Sequence, residues 1–229
     1  MARLLHCGPL VTRTVRAVLL DVDGTLVDSN DAHALSWAET LRHYGVRVGF
    51  DDVRRRIGEG GDKLLAQFAD LDDESARGKE ILHARALAFA RLRRDMRPFD
   101  GARALVEELR VRGLIIVIAS SASAHELEPL LRIAEVDDLI DAQTSADDAE
   151  RSKPDPDIVR AAIRRADVPP HACVMIGDTP YDVTAAHRAG ARAIALRCGG
   201  WSDADLAGAD AIYDGPRDLL LRIDSSILA

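Results

Sequence analysis

Three short apolar runs constrain this chain more than any other feature: residues 15–20, 114–119 (LIIVIA) and 173–177 (CVMIG). Each is strand-length and bounded by turn signals, and the last two are unbroken by polar residues. They read as strands covered on both faces, the pattern of a parallel sheet. Further strand patterns fall at 139–143, 193–196 and 211–213. Helical periodicity occupies the gaps: a VEEL helix ending at Gly113, then 125–134, 155–166 and 180–189, the last closed by Gly190. Strands alternating with helices imply a sheet wrapped on both sides.

The plan is interrupted after its first strand. From 30 to 96 only helices are legible: 30–44 with Ser29 or Asn30 as cap and Gly45 as stop, a helix after the GEGGD turn (58–62), and a long pattern over 72–95. The expected architecture is an α/β, doubly wound, Rossmann-like parallel sheet with an inserted helical cap domain. The core covers 1–29 and 97–229 and the cap 30–96. With 229 residues, 47% hydrophobic, the chain can bury a core of this size. Trp37, Phe68 and Phe89 fit helical core positions, and RLRRD (91–95) fits a solvated helix end.

Charge and cysteine usage narrow the partners. Thirty basic against 38 acidic residues give a net charge of −8, a poor match to nucleic acid. Cys7, Cys173 and Cys198 form no CxxC pair, which suits a reducing cytoplasm and disfavours a zinc site or a disulfide framework. No apolar run approaches the roughly 20 residues of a membrane span. Residues 1–16 read as a lead-in with a short strand rather than a signal peptide, interrupted by His6 and Pro9. Monomer and homodimer both stay open.

Ligands of such sheets bind beyond the carboxyl ends of the strands. There the chain places Asp21-x-Asp23-Gly24-Thr25, Ser120-Ser121 and Gly177-Asp178-Thr179-Pro180-Tyr181-Asp182, with Ser152-Lys153-Pro154 at a helix start. Asp21 and Asp23, two apart, face one pocket. As many as four carboxylates at one rim require a compensating cation, and hard oxygen donors suit Mg²⁺. Lys153 and Ser120 suit a phosphoryl group, as do backbone N–H groups at Gly24 and Thr25. One acid can attack phosphorus while the other moves a proton. A calcium loop fails, because its sixth and twelfth positions are Leu26 and Ala32.

DVDGT, ASS, SKPDPD and GDTPYD, in this order, resemble the four motifs of the haloacid dehalogenase superfamily. The insertion after the first motif is similar to its C1-capped branch of phosphoglycolate phosphatase-like and β-phosphoglucomutase-like proteins. The resemblance implies an aspartyl-phosphate phosphatase with Asp21 as nucleophile and Asp23 as acid/base. It further implies phosphate contacts at Ser120 and Lys153, with Ser121 competing, and Mg²⁺ on Asp21, the Asp23 carbonyl and Asp178. Asp182 supports the metal shell and the lysine, or simply opens a helix. On the insertion, His33 matches a hinge histidine and Lys63 is a substrate-contact candidate. Asp62 is read as a helix N-cap. The implied partner is a small phosphorylated metabolite.

A mutase is the nearest rival. Its substrate-gripping basic residue would fall at or near Gly61, and its fourth motif tends to begin Glu-Asp rather than Gly177-Asp178. A haloacid dehalogenase generally lacks an equivalent of Asp23. A non-catalytic sugar-phosphate sensor would usually have lost the nucleophile.

Overall fold

A computed structural model describes residues 15–229. Cys7 and the lead-in lie outside the described residues, apart from its last two positions.

Six parallel strands form one sheet: β1 (Ala17–Leu20), β2 (Ile115–Ala119), β3 (Ala142–Thr144), β4 (Cys173–Gly177), β5 (Arg192–Leu196) and β6 (Ala211–Tyr213). Their order is β3-β2-β1-β4-β5-β6. β1 is central, in register with β2 (Leu20 beside Ile118) and β4 (Leu20 beside Ile176). The order reverses there, which opens a crevice beyond the carboxyl ends of β1 and β4.

The strands are apolar on both faces because helices cover both. Val18 and Leu20 join a cluster with α5 (Ala102–Val111), α6 (Ala124–Ile133) and α9 (Pro216–Leu221). Ala17 and Leu19 point the other way, onto α7 (Asp157–Ala166) and α8 (Pro180–Ala189). One strand thus anchors two hydrophobic layers.

Between β1 and β2 lie α1 (Asn30–His43), α2 (Phe50–Arg54), α3 (Gly61–Ala69) and α4 (Ala76–Leu92). They bury their own cluster, including Trp37, Leu41, Val53, Leu64 and Ile81. Phe89 is the exception, because its ring joins the core cluster under the sheet. The chain leaves and re-enters the core side by side. Phe99 N–H donates to the Leu26 carbonyl at 2.9 Å, and Asp28 N–H to that of Arg97 at 3.0 Å.

Several boundaries differ from the sequence reading. The 139–143 pattern becomes a strand only at Ala142–Thr144, since β2 offers a partner edge there. The 72–95 helix starts at Ala76, where Ser75 Oγ accepts the Gly78 N–H at 2.9 Å. Helix α3 is capped by Gly60 rather than Asp62, whose carboxylate turns to Ser152. Lys153 sits in a loop, because α7 begins only at Asp157. Helices α2 and α9 carry too few residues for a periodic signal.

Leu19 is fully buried in the central strand. Leu19→Ala is expected to destabilise the chain by about 2–5 kcal/mol, read as a fall in urea midpoint at unchanged slope. A loss below about 0.5 kcal/mol would contradict this packing.

Candidate active site

Three strand ends and one loop build the site. Asp21 follows β1, Ser120 follows β2, Asp178 follows β4, and Lys153 enters from the loop before α7. Carboxylate oxygens of Asp21, Asp178 and Asp182 lie within 4.8 Å of one another, all buried. The Lys153 ammonium, 1% exposed, sits between two of them, 2.7 Å from Asp21 Oδ1 and 2.7 Å from Asp182 Oδ1. Asp182 also closes the first turn of α8, accepting from Thr179 N–H at 3.1 Å and its hydroxyl at 2.6 Å. Asp182 thus bonds both the start of α8 and the lysine.

Asp178 contacts no cation among the described residues. Its carboxylate accepts from Asn30 Nδ2 at 2.8 Å and Thr25 Oγ1 at 3.2 Å. Gly24 makes this approach possible. Its φ is +73°, and a Cβ there would lie 2.3 Å from Asp178 Oδ2.

Ionisation follows from this crowding. Burial pushes Asp21 up to about 7; Lys153 pulls it back, while Asp182 and Asp23 add to the rise. Asp178 is raised well above the usual carboxylate range by burial, then by Asp182 and Asp21. Burial opposes the Lys153 charge, but the Asp182 and Asp21 carboxylates outweigh it and hold the ammonium above its ordinary value. Three buried acids around one ammonium are short of positive charge. The donors are all hard oxygens, so the residues fit Mg²⁺.

Asp23 is held differently. Burial would raise it, yet His33 and Ser29 outweigh burial and keep it below the usual range. Ser29 Oγ donates to Asp23 Oδ1 at 2.5 Å, and His33 Nε2 lies 2.7 Å from the same oxygen. Arg85 on α4 bonds His33 Nδ1. A guanidinium only donates, so Nδ1 accepts and Nε2 carries the hydrogen that goes to Asp23. Arg85 Nη1 also bonds both Glu126 oxygens, at 2.5 and 2.7 Å. A buried chain thus runs from Asp23 through His33 and Arg85 to Glu126, crossing from insertion to core.

Other expectations are met differently. The Gly24 and Thr25 N–H groups are taken up inside their own turn, by the Val27 carbonyl at 2.8 Å and the Val22 carbonyl at 3.3 Å. A turn this tight directs those donors inward, away from a ligand. The Thr25 hydroxyl instead faces Asp178 and Asp21. Lys63 lies away from the cavity and pairs with Asp155 at 2.5 Å. Ser120 Oγ accepts the Ala122 N–H at 3.0 Å, which leaves its own hydrogen to donate. Ser121 Oγ is buried without a partner. Both serines line a cavity of about 610 Å³ with Asp21, Asp23 and His33.

Sequence reasoning missed Arg85, Glu126 and the role of Asn30. An arginine inside a long Ala/Leu/Arg pattern gives no signal of pairing 41 residues away with Glu126. Ser29 and Asn30 were legible only as helix caps. Ser29 makes no side-chain cap bond, and both side chains serve the site.

The comparisons agree with this architecture. Residues 15–190 match the haloacid dehalogenase-like hydrolase family, and the chain belongs to it. The phosphoglycolate phosphatase of Nitrosospira multiformis is 29% identical over 81% of this chain and 84% of its own length. A hydrolase structure from Pseudomonas syringae superposes with a TM-score of 0.84 at 29% identity, covering 92% of this chain and 98% of that one. CbbY from Rhodobacter sphaeroides, solved in complex with phosphate, gives 0.74 at 28% identity over 90% of this chain and 96% of its own.

A pH dependence follows. A carboxyl whose folded value is raised contributes stability that is fully present below its unfolded value and lost as pH rises through the folded one. For Asp21 that window runs from 3.8 to about 7. EDTA-treated protein should therefore lose thermal stability across this range, and Asp21→Asn should flatten the loss. Equal slopes for parent and variant would contradict the assignment.

Proposed function

We propose that this enzyme hydrolyses small phosphate monoesters through an aspartyl-phosphate on Asp21. The observation that carries the reading is the Lys153 ammonium held 2.7 Å from Asp21, beside the buried Asp178. A carboxylate that burial pushes towards protonation stays an ionised nucleophile only with positive charge beside it. The phosphatase relative and the phosphate-bound CbbY structure support the same chemistry.

In this reading an Asp21 oxygen attacks phosphorus and the P–O ester bond breaks. Asp23 protonates the departing oxygen, then takes a proton from water as that water attacks phosphorus. The Asp21–phosphorus link breaks and inorganic phosphate leaves. Ser29 and His33 both bond Asp23 Oδ1 and favour its ionised form, so Asp23 must take up a proton on the free Oδ2 before it can act as the acid. Ser120 and Ser121, which line the cavity, and Lys153, bonded to Asp21, orient the phosphoryl oxygens. Asp21, the Asp23 carbonyl and Asp178 would hold Mg²⁺, which would supply the remaining positive charge, while Asp182 supports the lysine.

Residues 30–96 act as a cap in this account, turning about 28–31 and 96–101 over a core of 1–29 and 97–229. Arg54 Nη2 reaches the Gly199 carbonyl at 2.6 Å and Gly60 N–H reaches Ser152 Oγ at 3.0 Å, contacts between the two parts of the chain. Closure excludes bulk water from the phosphoryl group. Small-angle scattering with Mg²⁺ and fluoroberyllate should show compaction relative to the free protein. Identical profiles would argue for a fixed lid.

The rival chemistries lack support. A mutase needs a basic grip at or near position 61, where this chain has a glycine packed beside Leu82 and Trp37. Dehalogenation gives Asp23 and the acidic cluster no role. A sensor needs no buried nucleophile with an acid/base at its side.

Asp21→Asn is expected to reduce Mg²⁺-dependent phosphate release from p-nitrophenyl phosphate by about a thousandfold or more while leaving the circular dichroism unchanged. EDTA should abolish activity in the parent. A variant as active as the parent would overturn covalent catalysis at this residue.

A further inference from the structure

We propose that the cavity selects phosphate monoesters whose leaving group is neutral or cationic, and rejects those carrying a second phosphate or a carboxylate. The inference deepens the phosphatase reading and rests on it. It concerns the part of the cavity beyond Asp21, where the rest of the substrate must lie.

Among the described residues, the lining holds nine carboxylates, one guanidinium and one imidazole. Seven of the carboxylates lie beyond Asp21 and Asp23. Asp73, Asp147 and Glu150 form no ion pair among the described residues. Asp147 accepts only from the Ala124 N–H and the Ser145 hydroxyl. Glu59, Glu74 and Glu126 pair with Arg56, Lys79 and Arg85. Asp62, Asp73, Asp147 and Glu150 have no cation partner among the described residues, so the wall stays net negative at neutral pH.

The nearby cations are engaged with other groups. Arg85 Nη1 bonds both oxygens of Glu126 and Nη2 bonds His33, while Nε is buried without a partner. Lys63, the nearby lysine on the insertion, is paired with Asp155 outside the cavity. Position 61 is a glycine and supplies no side chain to the cavity. Lys153 lies beneath Asp21, bound to it and to Asp182, and serves the phosphoryl end alone.

The two ends of the cavity are therefore unlike. One phosphoryl group meets Lys153 and hydroxyl donors. Anything attached to it meets a wall with more carboxylates than cations, which repels a second anion. A hydroxyl or an ammonium group faces no such penalty.

Three esters of similar size test this with Mg²⁺ present: 2-aminoethyl phosphate, 2-hydroxyethyl phosphate and phosphoglycolate. The kcat/KM of the hydroxyethyl ester is expected to exceed that of phosphoglycolate by about tenfold or more at low ionic strength, with the aminoethyl ester at least as good as the hydroxyethyl one. The gap should narrow in about 0.5 M salt, where exposed charges are screened. It should also narrow in an Asp147→Asn/Glu150→Gln variant, through a gain on phosphoglycolate. Equal or better turnover of phosphoglycolate overturns the inference, as does a gap that neither salt nor the double substitution moves. Turnover of p-nitrophenyl phosphate with none of the three esters hydrolysed also overturns it, leaving the phosphatase reading intact. Release of phosphate from no ester at all overturns both.

Discussion

The site depends on one buried ammonium. Lys153 is 1% exposed and touches two carboxylates, Asp21 from the end of β1 and Asp182 from the first turn of α8. Removing it would leave buried acids with no internal counter-charge, a cost of about 3–5 kcal/mol for a broken buried pair. The same contact ties the loop before α7 to the crevice beside β1. In the proposed reaction the phosphoryl group and the local structure share this single charge.

The sheet makes this contact possible. β1 and β4 run in register, so Asp21 and Asp178 emerge at the same rim. Gly24 then lets the turn after β1 fold against Asp178 without a clashing Cβ. The helical insertion adds what the core lacks. It contributes Asn30 to Asp178 and His33 to Asp23, and Arg85 fixes the hydrogen on that histidine. A residue on α4 thereby acts on the protonation of a core aspartate through one intervening ring.

Much of this was legible in the sequence because it rests on local pattern. CVMIG and the 180–189 helix were read to the residue, since an unbroken apolar run and a Pro-to-Gly helix leave little latitude. The family resemblance was legible for a related reason: its four motifs each follow a predicted strand or loop. The illegible part lies in long-range side-chain choices. Gly24 and Thr25 looked like phosphate donors, but their N–H groups close their own turn. Lys63 looked like a substrate contact, but Asp155 lies within its reach. Arg85 and Glu126 gave no signal, because their pairing exists only once the fold brings that residue of α4 to the first turn of α6. The acidic wall of the cavity was likewise dispersed along the sequence until the insertion folded over the core.

The central claim is that Asp21 becomes covalently phosphorylated during turnover. Rapid quenching with borohydride reduces an acyl phosphate to the alcohol, which converts an aspartyl-phosphate into homoserine detectable by peptide mass spectrometry. The account predicts homoserine at position 21, dependent on both substrate and Mg²⁺. Steady phosphate release with residue 21 unmodified, or reduction at a different carboxylate, would contradict it.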